Sequence, residues 1–239
     1  MAKPVIGIGH YEPLRHYAEV HLRLCPGAPG SGITFRSLAH VDDLALNWQR
    51  LIETHVFEKQ HRGVLTGSPL TDVRVELLCG RAHLKHTEGG DFRQAVYRAV
   101  RNALMQADNV LLEPICGFEL LVPGDLYGAV SSGLTRLHAE AEAFPQPDGR
   151  MRFRGTAAYA LFMPWQADFT PMTHGRGSLR VWMERYAPCH NAQQVIAEKA
   201  YEPLADDDTP DSVFCAHGAG FRVAWDHVKD FAHLSHEGL

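Results

Sequence analysis

Between residues 111 and 186 the apolar side chains change period in an order that few folds satisfy. Ile115 to Val122 is strand-like, and Asp125 to Glu140 sets Leu126, Ala129, Val130, Leu134 and Leu137 on one helical face. Ala141 to Phe144 and Met151 to Ala158 form a hairpin about Pro145-Gln-Pro-Asp-Gly149. Leu161 to Thr173 reads as a helical or irregular stretch interrupted by Pro164 and Pro171, and Ser178 to Tyr186 as a last strand. Six elements in the order β-α-β-β-α-β over about 75 residues make the split βαβ, ferredoxin-like unit.

The N-terminal half alternates the same two periods in another order. Tyr17 to Leu24 alternates like a half-buried strand, CPGAPGSG is a loop, and Ile33 to Leu38 is a second strand. Val41, Leu44, Ala45, Trp48, Leu51, Ile52 and Val56 fall at helical spacing, with Asp42 and Asp43 at the favourable end. Thr71 to Cys79 is strand-like, Gly80 to Gly90 is a polar loop, and a helix starts with Asp91 as N-cap. Its apolar stripe runs through Phe92, Ala95, Val96, Ala99, Val100, Ala103 and Leu104. Near the end, Glu202 to Asp211 holds five acidic residues and two prolines and reads as a solvated linker. Phe221, Val223, Ala224, Val228 and Phe231 then suit a short tail helix.

Composition narrows the class. Of the 239 residues, 45% are hydrophobic and 21% charged, the balance of a soluble globular protein, and the apolar runs are too short to span a bilayer. A formal charge of −5 argues against a chain coated in positive charge for nonspecific nucleic-acid binding, while leaving room for a local basic surface. Five cysteines (Cys25, Cys79, Cys116, Cys189, Cys215) with no CxxC pair, and a first segment without the apolar core of a secretory signal, predict a cytoplasmic protein. With no long exposed apolar stripe, it is expected to be a monomer and not a membrane protein.

Familiar catalytic signatures do not occur. GxxxxGK[ST], GxGxxG, GxSxG and HExxH are all missing from the sequence. The segment that stands out is Cys79 to Arg101, where Arg81, Lys85, Arg93, Arg98 and Arg101 face only Glu88 and Asp91, with His83 and His86 adding donors. Cations beside a long polar loop suit RNA phosphates, and histidines suit base stacking. On composition alone, the solvated face of a helix is the plainer reading of these arginines and stands ahead of RNA binding. A second loop, His10 to His16, has the same character. An alternative of another class is a metal-dependent small-molecule enzyme with ligands converging from Cys189, His190, Cys215 and His217.

Five motifs stand in an order that resembles a known family. GSGITFRS (30–37), LTDVRVELLCG (70–80), DFRQA (91–95), LLEPICGFELLVPGDLYG (111–128) and HGRGS (174–178) are similar to stretches of the tetracycline ribosomal protection proteins, translational GTPases related to elongation factor G. The resemblance implies an α+β chain of two domains. Residues 1–110 would be a fourth-domain unit like ribosomal protein S5 domain 2. Residues 111–190 would be a ferredoxin-like fifth domain, and 191–239 a C-terminal linker and tail helix. It implies the non-catalytic C-terminal part of a larger protein, with GTP and Mg²⁺ belonging to a GTPase domain outside this chain and no cofactor within it. Its expected partner is the ribosome, with 16S rRNA of the decoding region contacted by a tip loop at Gly80–Asp91 and the factor-binding region by the rest. Tyr11, Arg15, His16, Arg81, His83, Lys85, His86 and Thr87 are the expected RNA contacts. His83 falls where elongation factors of this type carry a tip histidine. Leu84, Lys85 and His86 fall where protection proteins carry a proline-containing tripeptide beside the drug site. Lys-His in place of that proline weakens drug displacement, so an elongation factor G or a paralogue acting in translocation is the alternative.

Overall fold

Two glycines determine how the first strand packs. β1 (Val5–Tyr11) lies against α2 (Gly89–Gln106) so closely that a Cβ on Gly7 or Gly9 would overlap the carbonyls of Ala99 and Ala95. Small residues on both partners let backbone meet backbone. The same glycines hide the strand from an apolar-periodicity reading, which places its first strand only at Tyr17 and reads His10 to His16 as a loop. The computed structural model describes Met1 and residues 3–235, and none of its helices is long and apolar enough to cross a membrane.

The chain divides into two units: one takes Met1–Val110 and the chain from Asn191 on, the other Leu111–His190. In the first unit β2 (Ala18–Pro26), β3 (Ile33–Ser37), α1 (Leu46–Phe57) and β4 (Val73–Ala82) precede α2. β1 and β4 flank β2 antiparallel, and β3 runs parallel to β4. Ala18, Val20, Leu22 and Leu24 of β2 join Val75 and Leu77 of β4 and the Phe92–Leu104 stripe of α2 in one core.

Three local boundaries differ from the periodicity. α1 starts at Leu46, so Asp42 and Asp43 lie in the preceding turn and not at the helix start. β4 continues through Ala82, leaving a loop of only His83 to Glu88. Glu88, not Asp91, is the N-cap of α2. Asp91 occupies the third helical position and returns its side chain to the Glu88 amide in a capping box.

The second unit follows β5 (Leu112–Pro123), α3 (Tyr127–Arg136), β6 (Glu140–Pro145), β7 (Arg150–Ala158), α4 (Tyr159–Thr173) and β8 (Ser178–Pro188). Its four-stranded sheet has the order β6-β7-β5-β8, the ferredoxin-like arrangement expected. α4 is one continuous helix through Pro164 and Pro171. Phe162 and Phe169, buried with Phe118 and Phe153, supply the tertiary packing that overrides the two lost backbone donors.

The end of the chain is not a linker and a tail helix alone. α5 (Ala192–Lys199) leads to a hairpin, β9 (Ser212–Ala216) and β10 (Ala219–Val223), and then α6 (Val228–Phe231). β9 adds beside β1, which extends the first sheet to six strands in the order β10-β9-β1-β2-β4-β3. The acidic segment before it is tied down: Asp206 accepts Tyr201 O–H at 2.5 Å and Arg62 at 3.1 Å, and Asp208 pairs with Lys59. Charge runs read as solvated when their partners lie about 145 residues away, as Arg62 does from Asp206.

Candidate nucleic-acid interface

The sheet order places two connections side by side, the β1–β2 turn (Glu12–Tyr17) and the β4–α2 loop (His83–Glu88). The second is a single helical turn, with the amides of His86 and Thr87 donating to His83 O at 3.2 and 3.1 Å. His83 and His86 therefore stand one turn apart, and their rings stack with centroids 4.5 Å apart. Lys85 N–H donates to His83 Nδ1 at 3.2 Å, which leaves the hydrogen of the neutral ring on Nε2. Leu84 projects wholly into solvent between them.

The two connections are braced together from beneath. Thr87 Oγ1 donates to the Tyr17 carbonyl at 2.6 Å and accepts His83 N–H at 2.6 Å. Asp91 is buried; it accepts Glu88 N–H at 2.8 Å with one oxygen and faces His16 Nδ1 at 2.8 Å with the other.

The expected contact residues accordingly separate. Arg15, His16, His83 and His86 line one cleft of about 260 Å³, together with Glu12, Pro13, Leu14, Tyr17 and Cys215. Arg15 is exposed in the left-handed region at φ 67°. Arg81 and Lys85 are exposed beside the cleft and form no salt bridge among the described residues. Tyr11 is not in the cleft lining; its ring lies under the Arg98 guanidinium at 5.0 Å and 6.5 Å from the His16 ring. Thr87 spends its hydroxyl on the brace. An anionic ligand at this end would meet Arg15, Arg81, Lys85 and the edges of His83 and His86, with Glu12 as the opposing charge.

Sequence reasoning missed what lies behind the cleft. Glu19 and His21, read as the solvent side of a half-buried strand, are fully buried, and the C-terminal tail lies on Glu19 through the amides of His233 and Leu234. Glu19 accepts His10 Nδ1 at 2.6 Å, His21 Nε2 at 2.9 Å and the amides of His233 and Leu234 at 3.0 and 2.8 Å. Burial alone would raise the Glu19 carboxyl, but these hydrogen bonds outweigh it and hold the group far below the carboxylate range. Burial, then the Glu19 charge, pushes the Tyr17 phenol up to about 12. An acidic residue and a histidine alternating with Val20 and Leu22 looks the same whether or not a distant segment covers them.

The four residues expected to converge on a metal do not form one group. Among the described residues the His/Cys/Asp/Glu groups with neighbouring ligand atoms are Glu113, Cys189 and His190, and His10, Glu19 and His233. Neither contains Cys215, which lines the cleft, or His217, in the β9–β10 turn.

Comparison with known proteins gives this geometry a context. The family model for elongation factor G domain IV matches residues 8–108, and that for the elongation factor G C-terminus matches residues 110–196. Elongation factor G 2 of Vibrio parahaemolyticus is 29% identical over 184 residues, 76% of this chain and 26% of that protein. Elongation factor G 1 of Colwellia psychrerythraea is 28% identical over 193 residues, 80% of this chain and 28% of that protein. The chain thus spans about a quarter of the length of these relatives. A crystal structure from Thermus thermophilus superposes with a TM-score of 0.77 over 84% of this chain and 31% of that one, at 24% identity, which shows the shared fold.

Proposed function

The chain belongs to the elongation factor G domain IV and C-terminal families, and on that premise we propose that it is the ribosome-engaging, non-catalytic part of a translational GTPase of the elongation factor G type. In this reading the His83–Glu88 turn enters the decoding region of the small subunit, and the ferredoxin-like unit docks at the factor-binding region. GTP hydrolysis with Mg²⁺ belongs to a separate domain of the parent, in the cytoplasm. The observation that carries the proposal is the tandem of the two matched families with an exposed, braced turn of His83, Lys85 and His86 at one end of the first.

Each tip residue then has a chemical role. Arg15, Arg81 and Lys85 pair with phosphate oxygens, and His83 and His86 offer ring faces for stacking on an unpaired base. Thr87 and Asp91 position the turn without touching RNA. Chemical footprinting of 16S rRNA tests this: bound chain protects decoding-region nucleotides, and Lys85→Ala/His86→Ala removes those protections. Protection confined to other regions refutes tip insertion.

The two bacterial relatives are elongation factors, which favours translocation over ribosomal protection. Protection by drug displacement rests on Leu84, Lys85 and His86 occupying the tripeptide position, without its proline. A parent protein that leaves tetracycline occupancy on ribosomes unchanged excludes that finer role.

A further inference from the structure

Beneath the tail, on the sheet face away from the β1–α2 contact, three side chains of different chain regions bring ligand atoms together. His10, Glu19 and His233 each place a ring nitrogen or carboxylate oxygen within 4.8 Å of the other two. His10 and Glu19 are fully buried and His233 is exposed, so the group has a solvent side. We propose that these three residues form a binding site for one divalent transition-metal ion of the zinc class, which fastens the C-terminal tail to β1 and β2.

The donor set selects the class of ion. Two imidazoles and one carboxylate suit zinc and its transition-metal neighbours, with water in the fourth position, whereas Mg²⁺ and Ca²⁺ take oxygen ligands. The surroundings orient the ligands as outer partners of a metal centre do. His10 Nε2 faces Glu12 Oε2 at 3.1 Å, and its ring stacks on Phe214 at 4.0 Å, which aims Nδ1 at Glu19. Tyr17 O–H lies 3.2 Å from His233 Nδ1. The second Glu19 oxygen is held by His21 and the Leu234 amide, so the carboxylate cannot swing away.

The exchange is balanced by one proton. His10 Nδ1 and Glu19 Oε2, 2.6 Å apart, share a single hydrogen, and an entering cation releases it to solvent while bonding to the lone pairs it leaves. Because the two amides on Glu19 come from the tail, the ion would close a loop of more than 200 residues between His10 and His233. Tail docking and metal loading are then one equilibrium.

The test uses the whole chain, stripped with a chelator and dialysed against Zn²⁺, with bound metal counted by mass spectrometry and the site read by Co²⁺ visible absorption. One equivalent is expected, and His233→Ala, at an exposed position, weakens it by more than about a hundredfold. The surface variant His83→Ala/His86→Ala keeps it, which separates the site from adventitious binding at the tip. Zn²⁺ also slows proteolytic cleavage of the tail in the wild type and not in His233→Ala. No stoichiometric ion in the wild type, unchanged affinity in His233→Ala, or loss of the ion in the tip variant each overturns the proposal.

Discussion

Replacing Asp91 by alanine tests whether the two tip connections are held as one body. The side chain does two jobs: it accepts Glu88 N–H at 2.8 Å in the capping box, and it faces His16 Nδ1 at 2.8 Å across the β1–β2 turn. Loss of a capping acceptor costs about 1 kcal/mol. The His16 side chain is 40% exposed, so solvent screening limits that pair to no more than about 1 kcal/mol. Asp91→Ala should therefore destabilise the α2 end by about 2 kcal/mol. Asp91→Asn keeps an acceptor oxygen but loses the charge, and should cost about half as much. Because the chain has two units, global unfolding is the wrong assay. Amide exchange read on peptides within residues 89–106 reports the helix itself, and about 2 kcal/mol appears there as an acceleration of about thirtyfold. His16→Ala should reproduce only the smaller share. An acceleration below about threefold in Asp91→Ala refutes the brace.

Three other outcomes follow from the geometry. Gly9→Ala forces a methyl group into the Ala95 carbonyl of α2, and urea unfolding of the first unit should show a loss of at least about 1–3 kcal/mol, or no folded unit at all. Acid should loosen the segment that follows α5. Hydrogen bonds from Tyr201 and the Asp208 amide, then Arg62, hold Asp206 down at about 2. On Glu58, burial is outweighed by bonds from Tyr97, Arg93 and His55, which also give about 2. Both folded values lie below the unfolded ones, so their stabilisation is complete above about pH 4.5 and is lost as pH falls towards 2. Proteolysis of residues 200–211 across that range should rise steeply in the wild type and be high and flatter in Asp206→Asn. Arg81→Ala/Lys85→Ala/His86→Ala should leave the urea stability of the first unit within about 0.5 kcal/mol of the wild type, since these side chains are exposed and unpaired by carboxylates.

What the sequence made legible depended on the range of the interactions. The second unit was readable because its pattern is local: β5 alternates, α3 carries one apolar face, and Pro145 to Gly149 marks the hairpin. The stripe of α2 was equally clear. β1 was not, because Gly7 and Gly9 replace the apolar residues that would have signalled a buried face. The tail strands were hidden for another reason: Ser212 to Val223 reads as weakly apolar until β1 is available as a neighbour for β9. At the candidate site, charge and loop composition single out Arg81, His83, Lys85 and His86, and these lie in or next to one exposed turn. The contact of Tyr11 with Arg98 was not legible, because Arg98 lies on a helix that periodicity assigns without contacts. The burial of His10 and Glu19 was missed because residues 233 and 234, far along the chain, pack on them.

Co-sedimentation of the chain with 70S ribosomes across a salt series tests most directly whether the His83–Glu88 turn meets RNA phosphates. The account predicts that wild-type binding weakens steeply with salt. It also predicts that Arg81→Ala/Lys85→Ala/His86→Ala binds more weakly, with a slope of log K against log salt reduced by about 0.7–0.9 for each phosphate no longer neutralised. Equal affinity and equal slope for the two proteins would contradict it.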